Sequence, residues 1–219
     1  MKEGEEDMSE YHLQSPLQES DIRKLRVGDT VFLSGKAFTC RSKLQRSVFD
    51  EGLAMPKELL DNDILIHAGP IILKEGDSWQ LVSIMPTSSV RFEKWGADSI
   101  KEWGLKVIVG KTTMREKTAE AMQKYGCVHL SPQSVSPNLW HDQIDIQGVY
   151  LFDEMGSIEA PWQFELNEFG PFVVDMDTEG NSLYEQVDDK VRENLVSAHT
   201  RMGIEPDFKY TQLYGGKGE

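Results

Sequence analysis

The sequence reads Gln80-Leu81-Val82-Ser83-Ile84-Met85-Pro86-Thr87-Ser88-Ser89-Val90-Arg91-Phe92-Glu93 at the stretch that decides the fold. Its first five residues are mostly apolar and predict a buried strand. Residues 91–104 combine helix-forming side chains with an apolar stripe, which predicts a helix. A proline and three hydroxyl side chains separate the two elements, and this composition predicts a helix N-cap.

The junction at residues 86–91 has the chemistry of an anion site. A helix N-terminus presents unpaired N–H groups and a partial positive charge, and both favour an anion. Arg91 lies one turn in, where its guanidinium could grip a carboxylate with two parallel hydrogen bonds. The plainer interpretation, an ordinary capped helix, stays open on this stretch alone.

Strands and helices alternate on both sides of the junction. Runs of apolar and β-branched residues predict strands at 30–34, 63–67, 80–85, 105–109 and 127–130, and a pair of strands at 162–166 and 171–175 around a turn at 167–170. Helices are predicted near Glu19 and at 41–49, 91–104, 114–125 and 182–202. Residues 131–138 are predicted to be a loop. The pattern indicates an α/β or mixed sandwich domain.

Length and composition narrow the class of protein. A chain of 219 residues is long enough for one domain, which we place at 15–202, with an acidic, disordered or loosely attached lead-in at 1–14 and a peripheral tail at 203–219. The formal net charge of −14 argues against nucleic acid and anionic membrane surfaces as partners. The two cysteines and the polar N-terminus give no sign of secretion, so we expect a soluble cytoplasmic protein.

Several motifs, in order along the chain, resemble one family. Residues 86–93 resemble the Pro-Thr-Thr-x-Gly-Arg-Met-Asp signature of the class I fumarase and L(+)-tartrate dehydratase family, in its C-terminal or beta region. The other matching segments are Leu25 to Gly35, Thr39-Cys40-Arg41, His67-Ala68-Gly69-Pro70, Val109-Gly110-Lys111 and Met155 to Trp162. The series covers residues 16–184, which is most of the chain.

This resemblance implies a fold, a reaction and a partner. The fold would be a swivelling β/β/α domain, with a mixed sheet and flanking helices. The chain would be the beta subunit of a hydro-lyase that reversibly dehydrates a 2-hydroxy dicarboxylate, such as malate or tartrate. A 4Fe-4S cluster would serve as Lewis acid and would be held by an alpha subunit, in a hetero-oligomer of two alpha and two beta chains. Two cysteines alone cannot ligate such a cluster.

The resemblance also assigns roles to residues that match its motifs. Arg41, Arg91 and Lys111 would bind the substrate carboxylates, and Thr87 would occupy the proton-transferring position. Ser88 keeps a hydroxyl in place of the second threonine. A threonine hydroxyl is a weak base, so a carboxylate of the alpha subunit would have to take its proton. No metal ligand is assigned to this chain.

Some positions depart from the family pattern. Val90 replaces a glycine, and Ser42 and Gln45 replace an Asp and a His that follow the first arginine. The loop at 131–138 replaces a segment rich in glycine that lies near the substrate pocket in the resembled family. These departures keep a second hypothesis open, in which the chain is a non-catalytic paralogue that binds or scaffolds an alpha-like partner. The sequence leaves the substrate, its stereochemistry and the oligomeric state undetermined.

Overall fold

The computed structural model describes residues 8–133, 136–205 and 208. Within these residues the chain is mixed α/β, as predicted, with a seven-stranded mixed sheet, a separate two-stranded sheet and flanking helices. Residues up to Leu183 form one compact unit and residues from Tyr184 a second.

The strands are β1 (Glu10–Gln14), β2 (Thr30–Thr39), β3 (Ile64–Ile66), β4 (Ile71–Glu75), β5 (Ser78–Ser83), β6 (Val107–Val109), β7 (Val128–Pro132), β8 (Ile144–Val149) and β9 (Trp162–Met176). The helices are α1 (Glu19–Ile22), α2 (Ser42–Phe49), α3 (Glu93–Trp103), α4 (Glu116–Tyr125), α5 (Phe152–Met155) and α6 (Leu183–Met202). Short 3₁₀ turns lie at Lys57–Leu59, Ser89–Phe92 and His141–Gln143.

The large sheet has the strand order β1-β2-β3-β6-β7-β9-β8. The first five strands of this order run parallel, and β9 runs antiparallel to β2, β7 and β8. Because β9 pairs with both β7 and β2, the strands β2, β3, β6, β7 and β9 close into a ring. The carboxyl ends of β2, β3, β6 and β7 therefore meet at one edge.

The parallel strands are short, and apolar side chains cover both of their faces. Ile64 and Ile66 belong to one buried cluster and Leu65 to another, and the alternation repeats in β6. The second cluster contains buried apolar residues from α2, α3 and α4, so it fills the layer between sheet and helices. Burial on both faces explains why β6 reads as a continuous apolar run and was predicted correctly as a buried parallel strand.

Glycines end the two helices that pack over the sheet. Gly104 and Gly126 follow α3 and α4 with φ of 65° and 66°. Glycine adopts this left-handed conformation without the steric cost that other residues carry. The predicted end of the helix at 114–125 is confirmed, because α4 ends at Tyr125.

The predicted buried strand at 80–85 is wrong in its setting. β5 ends at Ser83 and pairs only with β4, as an antiparallel hairpin outside the large sheet. Leu81 is buried, whereas Val82 on the opposite face is 46% exposed. An apolar run marks a strand but does not say which sheet it joins, and no strand was predicted at β4.

The predicted strand pair at 162–166 and 171–175 is also wrong. One strand, β9, runs through the whole region for 15 residues. The residues predicted to be a turn instead shift the register against β2, between Leu33 and Gly35. Glu168 has φ of 51°, a conformation usual in turns, but here it bends a strand without reversing it.

The N-terminal region does not match its prediction as a loose lead-in. Residues 10–14, predicted to belong to a loose lead-in, form β1 and pair in parallel with residues 30–34. Leu13 packs in the core, and this burial compensates for the acidic composition nearby. Residues 1–7 and most of the predicted tail lie outside the described residues. The predicted polar helix is confirmed as α6, none of whose residues is buried.

The predicted loop at 131–138 begins later than expected. β7 extends to Pro132, where it pairs with Phe172 of β9. Residues 134 and 135 lie outside the described part of the chain. Over the ranges that the structure describes, no helix combines the length and apolar character needed to cross a membrane.

Candidate functional site

The site residues predicted from sequence lie at the edge where the parallel strands end. Arg41 follows β2, and Lys111 follows β6 by two residues. His67 follows β3, and its backbone N–H donates to the carbonyl of Val109 at 2.8 Å. The carboxyl edge of a parallel sheet is where ligands bind in α/β folds, because strand ends and helix starts converge there.

Hydrogen bonds fasten the junction at residues 86–91 to two of these strand ends. The N–H of Thr87 donates to the carbonyl of His67 at 2.6 Å, and that of Lys111 donates to the carbonyl of Thr87 at 3.1 Å. The N–H of Ser89 donates to the carbonyl of Lys111 at 2.8 Å. Ser88 and Lys111 thus form a parallel bridge. The structure brings Thr87, Ser88 and Lys111 together.

The hydroxyls of the junction do not cap the helix, and that prediction is wrong. A 3₁₀ turn occupies Ser89–Phe92, and α3 begins at Glu93 without a capping bond from the side chain of Phe92. Arg91 instead reaches back, and its Nη2 donates to the hydroxyl oxygen of Thr87. Arg91 and Lys111 are exposed, and Thr87 is half-buried. The cations therefore face outward beside a hydroxyl whose position is fixed.

Arg41 lies farther along the same edge. It is the N-cap residue of α2, which confirms the predicted helix start. Its Nε lies 3.2 Å from Oε1 of Glu159, without the geometry of a hydrogen bond. A Cβ added at Gly69 would lie 3.0 Å from Cδ of Arg41, so the arginine packs on the segment that follows β3. In the described residues, no hydrogen bond or ion pair joins Arg41 to Thr87, Arg91 or Lys111.

Two helix starts at this edge are already occupied by carboxylates of the chain. Oε2 of Glu159 accepts from the N–H of Lys43 in the first turn of α2, at 2.9 Å. Glu93 accepts from the N–H of Arg115 at 2.7 Å, and from the N–H and hydroxyl of Thr118 at 3.3 and 2.9 Å, at the start of α4. These acidic side chains fill the positions that an external anion would take.

Beneath the junction lies a buried polar chain that sequence reasoning missed. The hydroxyl of Ser89 lies 2.9 Å from Nδ1 of His67 and 2.8 Å from Nε2 of His129. Nδ1 of His129 lies 2.5 Å from Oδ1 of Asp175. All four side chains are fully buried. The only signal for these residues in the sequence is a polar side chain at or near an apolar strand. The bonded partners are 22 to 46 residues apart in sequence, so local pattern does not pair them.

His67 is held neutral by its surroundings. Burial lowers the pKa of His67 well below its usual 6.5, and the neighbouring His129 and Arg91 side chains lower it further. Its Nε2 is buried and has no hydrogen-bond partner among the described residues. The ring also packs on Phe92, with centroids 4.4 Å apart.

The departures from the resembled family fit the local structure. Val90 is not among the described residues with positive φ, so this position does not require glycine. Gln45 is buried, and its Nε2 donates to the hydroxyl of Ser99 at 3.1 Å. Glu159 thus stands beside Arg41, while Gln45 points into the helix layer.

The residues present do not fit a metal cluster. The described part of the chain contains no group of three or more His, Cys, Asp or Glu side chains arranged to hold a metal. Cys40 and Cys127 are buried, and burial raises the pKa of both thiols. Cluster ligands are thiolates, so neither residue suits that role. Cys127 behaves as a small buried apolar residue.

Two concave regions of the described chain lie away from the strand edge. One, of about 440 Å³, lies between the β4–β5 hairpin and β8 and is lined by Trp79, Leu81 and Ile144. Another, of about 450 Å³, is lined by Pro16, Lys36 and Asp61. The cations at the strand edge are not among the residues lining either cavity.

Comparison with known proteins supports the motif matches. The model of the family described as "Fumarase C-terminus" matches residues 1–187. A putative L(+)-tartrate dehydratase subunit beta of Methanocaldococcus jannaschii is 40% identical over 183 residues, 82% of this chain and 93% of the relative. The L(+)-tartrate dehydratase subunit beta of Escherichia coli K12 is 36% identical over 171 residues, 78% of this chain and 85% of that protein. A putative fumarate hydratase class I of Geobacillus stearothermophilus is 34% identical over 185 residues, 84% of this chain and 35% of that protein.

Proposed function

Since the chain belongs to the fumarase C-terminus family, we propose that it is the beta subunit of a two-component hydro-lyase acting on a 2-hydroxy dicarboxylate. Malate, with fumarate as its product, and tartrate, with oxaloacetate as its product, are the substrates that the relatives' names suggest. The chain would be active only with an alpha subunit, in the cytoplasm. We retain the swivelling β/β/α class as the fold that this assignment implies.

One observation carries the proposal. Arg91, Thr87 and Lys111 are fastened together at a helix start that, in the described residues, no carboxylate of the chain occupies. A dicarboxylate approaching a protein of net charge −14 needs such a local concentration of cations. Arg91 uses two of its five N–H donors, on Thr87 and Ser88, which leaves donors for a carboxylate.

Thr87 would carry the proton transfer. The guanidinium of Arg91 donates to its hydroxyl oxygen, and a cationic donor stabilises negative charge on that oxygen. The hydroxyl can then act as a base once a nearby group has accepted its proton. We assign that acceptor to a carboxylate of the alpha subunit, because the described contacts of Thr87 on this chain supply none.

Lys111, Arg41 and Ser88 would bind the substrate. The exposed ammonium of Lys111 follows β6 directly beside Ser88, so both could meet the carboxylate nearest Thr87. Arg41, with Glu159 beside it, would meet the second carboxylate from the start of α2. The 4Fe-4S cluster would supply the Lewis acid for the hydroxyl and would be held by the alpha subunit, in an assembly of two alpha and two beta chains.

The proposal is tested by reconstituting the alpha subunit with this chain under anaerobic conditions and measuring hydration of fumarate and dehydration of malate and tartrate. Arg91→Ala and Lys111→Ala should each lower kcat/KM about 100-fold or more, as expected for groups that stabilise developing charge. Lys117→Ala, on the exposed face of α4, is the matched loss of a cation and should leave the rate unchanged. Unchanged rates in both site variants would contradict the assignment.

The second hypothesis, a non-catalytic binding or scaffold subunit, predicts another result. Such a chain would bind the alpha-like partner without adding activity towards any of these acids. Val90 does not have a positive φ, and Glu159 lies beside Arg41, so both positions are compatible with the proposed hydro-lyase. The same reconstitution separates the two hypotheses.

A further inference from the structure

The buried polar chain under the junction has one end that fixes its direction. As a carboxylate, Asp175 can only accept, so His129 must donate to it from Nδ1. The Nε2 of a neutral His129 then accepts, and the hydrogen comes from the hydroxyl of Ser89. The hydroxyl of Ser89 has only one hydrogen, and it donates that hydrogen to His129. Its oxygen therefore accepts from Nδ1 of His67. With Asp175 ionised and His129 neutral, every hydrogen bond in the chain points toward Asp175.

The same residues hold the proposed site in place through their backbones. The carbonyl of His67 accepts from Thr87, and the N–H of Ser89 donates to Lys111. The Ser89 hydroxyl packs against the backbone of Gly110. A Cβ added at Gly110 would lie 1.7 Å from the hydroxyl oxygen, so a larger residue there would displace it. The side chain of Ser89 thus joins the junction to β3 and β7 while its backbone joins it to β6.

We propose that Asp175, His129, Ser89 and His67 form a one-directional buried hydrogen-bond chain that positions Thr87 and Lys111. The four are positioning residues, since they act through the two residues that would meet the substrate. The catalytic consequence rests on the proposed function, whereas the direction of the chain and its hold on the junction do not. Freeing the junction would let Thr87 and Lys111 leave their reactive geometry without changing either side chain.

The direction is tested by NMR of the histidine ring nitrogens in the full chain. Both His67 and His129 should carry their proton on Nδ1 near neutral pH. In Asp175→Asn the amide can donate to His129, and the ring proton should then move to Nε2 on His129 and, through Ser89, on His67. A wild-type spectrum with the proton on Nε2 of either ring would overturn the proposed direction.

The hold on the junction is tested by amide hydrogen exchange, which needs no activity. Ser89→Ala should accelerate exchange at the N–H groups of Thr87, Ser89 and Lys111 by about tenfold or more, because two buried imidazole nitrogens lose their partner. Ser99→Ala is the matched control, since it also removes a fully buried hydroxyl, the one bonded to Gln45. Equal acceleration at these three amides in both variants, or none in Ser89→Ala, would overturn the positioning role. Asp175→Asn provides a second variant of nearly unchanged shape.

Kinetics of the reconstituted pair connect the chain to catalysis. Ser89→Ala should lower kcat by about 100-fold with little change in KM, as expected when reacting groups are misplaced rather than removed. Ser99→Ala should change neither constant. Wild-type kcat in Ser89→Ala would refute the catalytic consequence. If the unmutated pair is inactive, the proposed function fails, and hydrogen exchange still decides whether the chain positions the junction.

Discussion

Three helices begin at the edge where the parallel strands end, and they differ in what lies at their first turns. The starts of α2 and α4 are each bonded by a carboxylate of the chain, from Glu159 and Glu93. The 3₁₀ turn that leads into α3 has no such partner among the described residues, although it contains Arg91 and begins next to the Ser88–Lys111 bridge. Helix starts at the same sheet edge can therefore differ in their partners, because carboxylates of the chain occupy two of them and the third has none among the described residues.

A substitution can give the junction before α3 a carboxylate like those at the starts of α2 and α4. Ser88→Asp places a negative charge at the N-cap of the 3₁₀ turn, where it would compete with a substrate carboxylate for Arg91 and Lys111. We expect kcat/KM of the reconstituted pair to fall by about 100-fold or more. Ser88→Asn has nearly the same shape without the charge and should lose much less. Equal losses in both variants would show that shape, not charge, matters here.

A second substitution tests the carboxylate that lies at the start of α2. Glu159→Gln removes the charge beside Arg41 but keeps an oxygen that can accept from the N–H of Lys43. Arg41 loses the ion pair that fixes it, so KM for the dicarboxylate should change by about tenfold while kcat changes less. Glu154→Gln, an exposed acidic residue on α5, is the control. An unchanged KM would remove Arg41 from the proposed site.

The buried support of the open junction predicts a dependence of stability on pH. The pKa of His67 is lowered by burial, so below about pH 6.5 the unfolded chain binds a proton that the folded chain refuses. Stability should therefore fall as the pH drops below 6.5, by up to about 1.4 kcal/mol per pH unit from this residue. Urea unfolding at several pH values should show a shallower slope in His67→Gln.

His12 provides a control of opposite sign. The carboxylates of Glu168 and Glu10 accept hydrogen bonds from the ring of this exposed residue and raise its pKa, so its contribution is present at low pH and is lost as pH rises. His12→Gln should therefore steepen the loss of stability in acid, whereas His67→Gln should reduce it. The same direction of change in both variants would contradict the assignment of a neutral buried His67.

The smallest expected effect is at the closed start of α4. Glu93→Ala removes the carboxylate that accepts from Arg115 and Thr118, and loss of such a cap costs about 1 kcal/mol of unfolding free energy. Glu120→Ala, on the exposed face of α4, should change stability by less than about 0.5 kcal/mol. Equal values for the two variants in urea unfolding would show that Glu93 does not stabilise the helix start.

The sequence could predict the parts of the fold that depend on local pattern. The apolar run of β6, the glycine after α4 and the positions of Arg41 and Lys111 after strands all follow from neighbouring residues. The single strand β9 could not be predicted, because residues 167–170 have the composition of a turn and form a bulge against β2. The β4–β5 hairpin was missed because strand patterns do not specify their partners.

The candidate site was likewise predicted only in its local part. Motif matches indicated Thr87, Arg91 and Lys111, and the structure brings them together through backbone contacts. The chain from His67 to Asp175 depends on contacts between distant strands, and buried polar residues look alike in sequence whether they are paired or not. The carboxylates that close α2 and α4 also come from other elements, so their caps carry no local signal.

The most direct test of the open junction is a crystal structure of the assembled alpha and beta subunits with a bound dicarboxylate. The account predicts one carboxylate within about 3 Å of the guanidinium of Arg91 and the ammonium of Lys111, next to the hydroxyl of Thr87. Glu159 and Glu93 should remain bonded at the starts of α2 and α4. A dicarboxylate bound at either of those starts, or bound away from Arg91 and Lys111, would contradict the account.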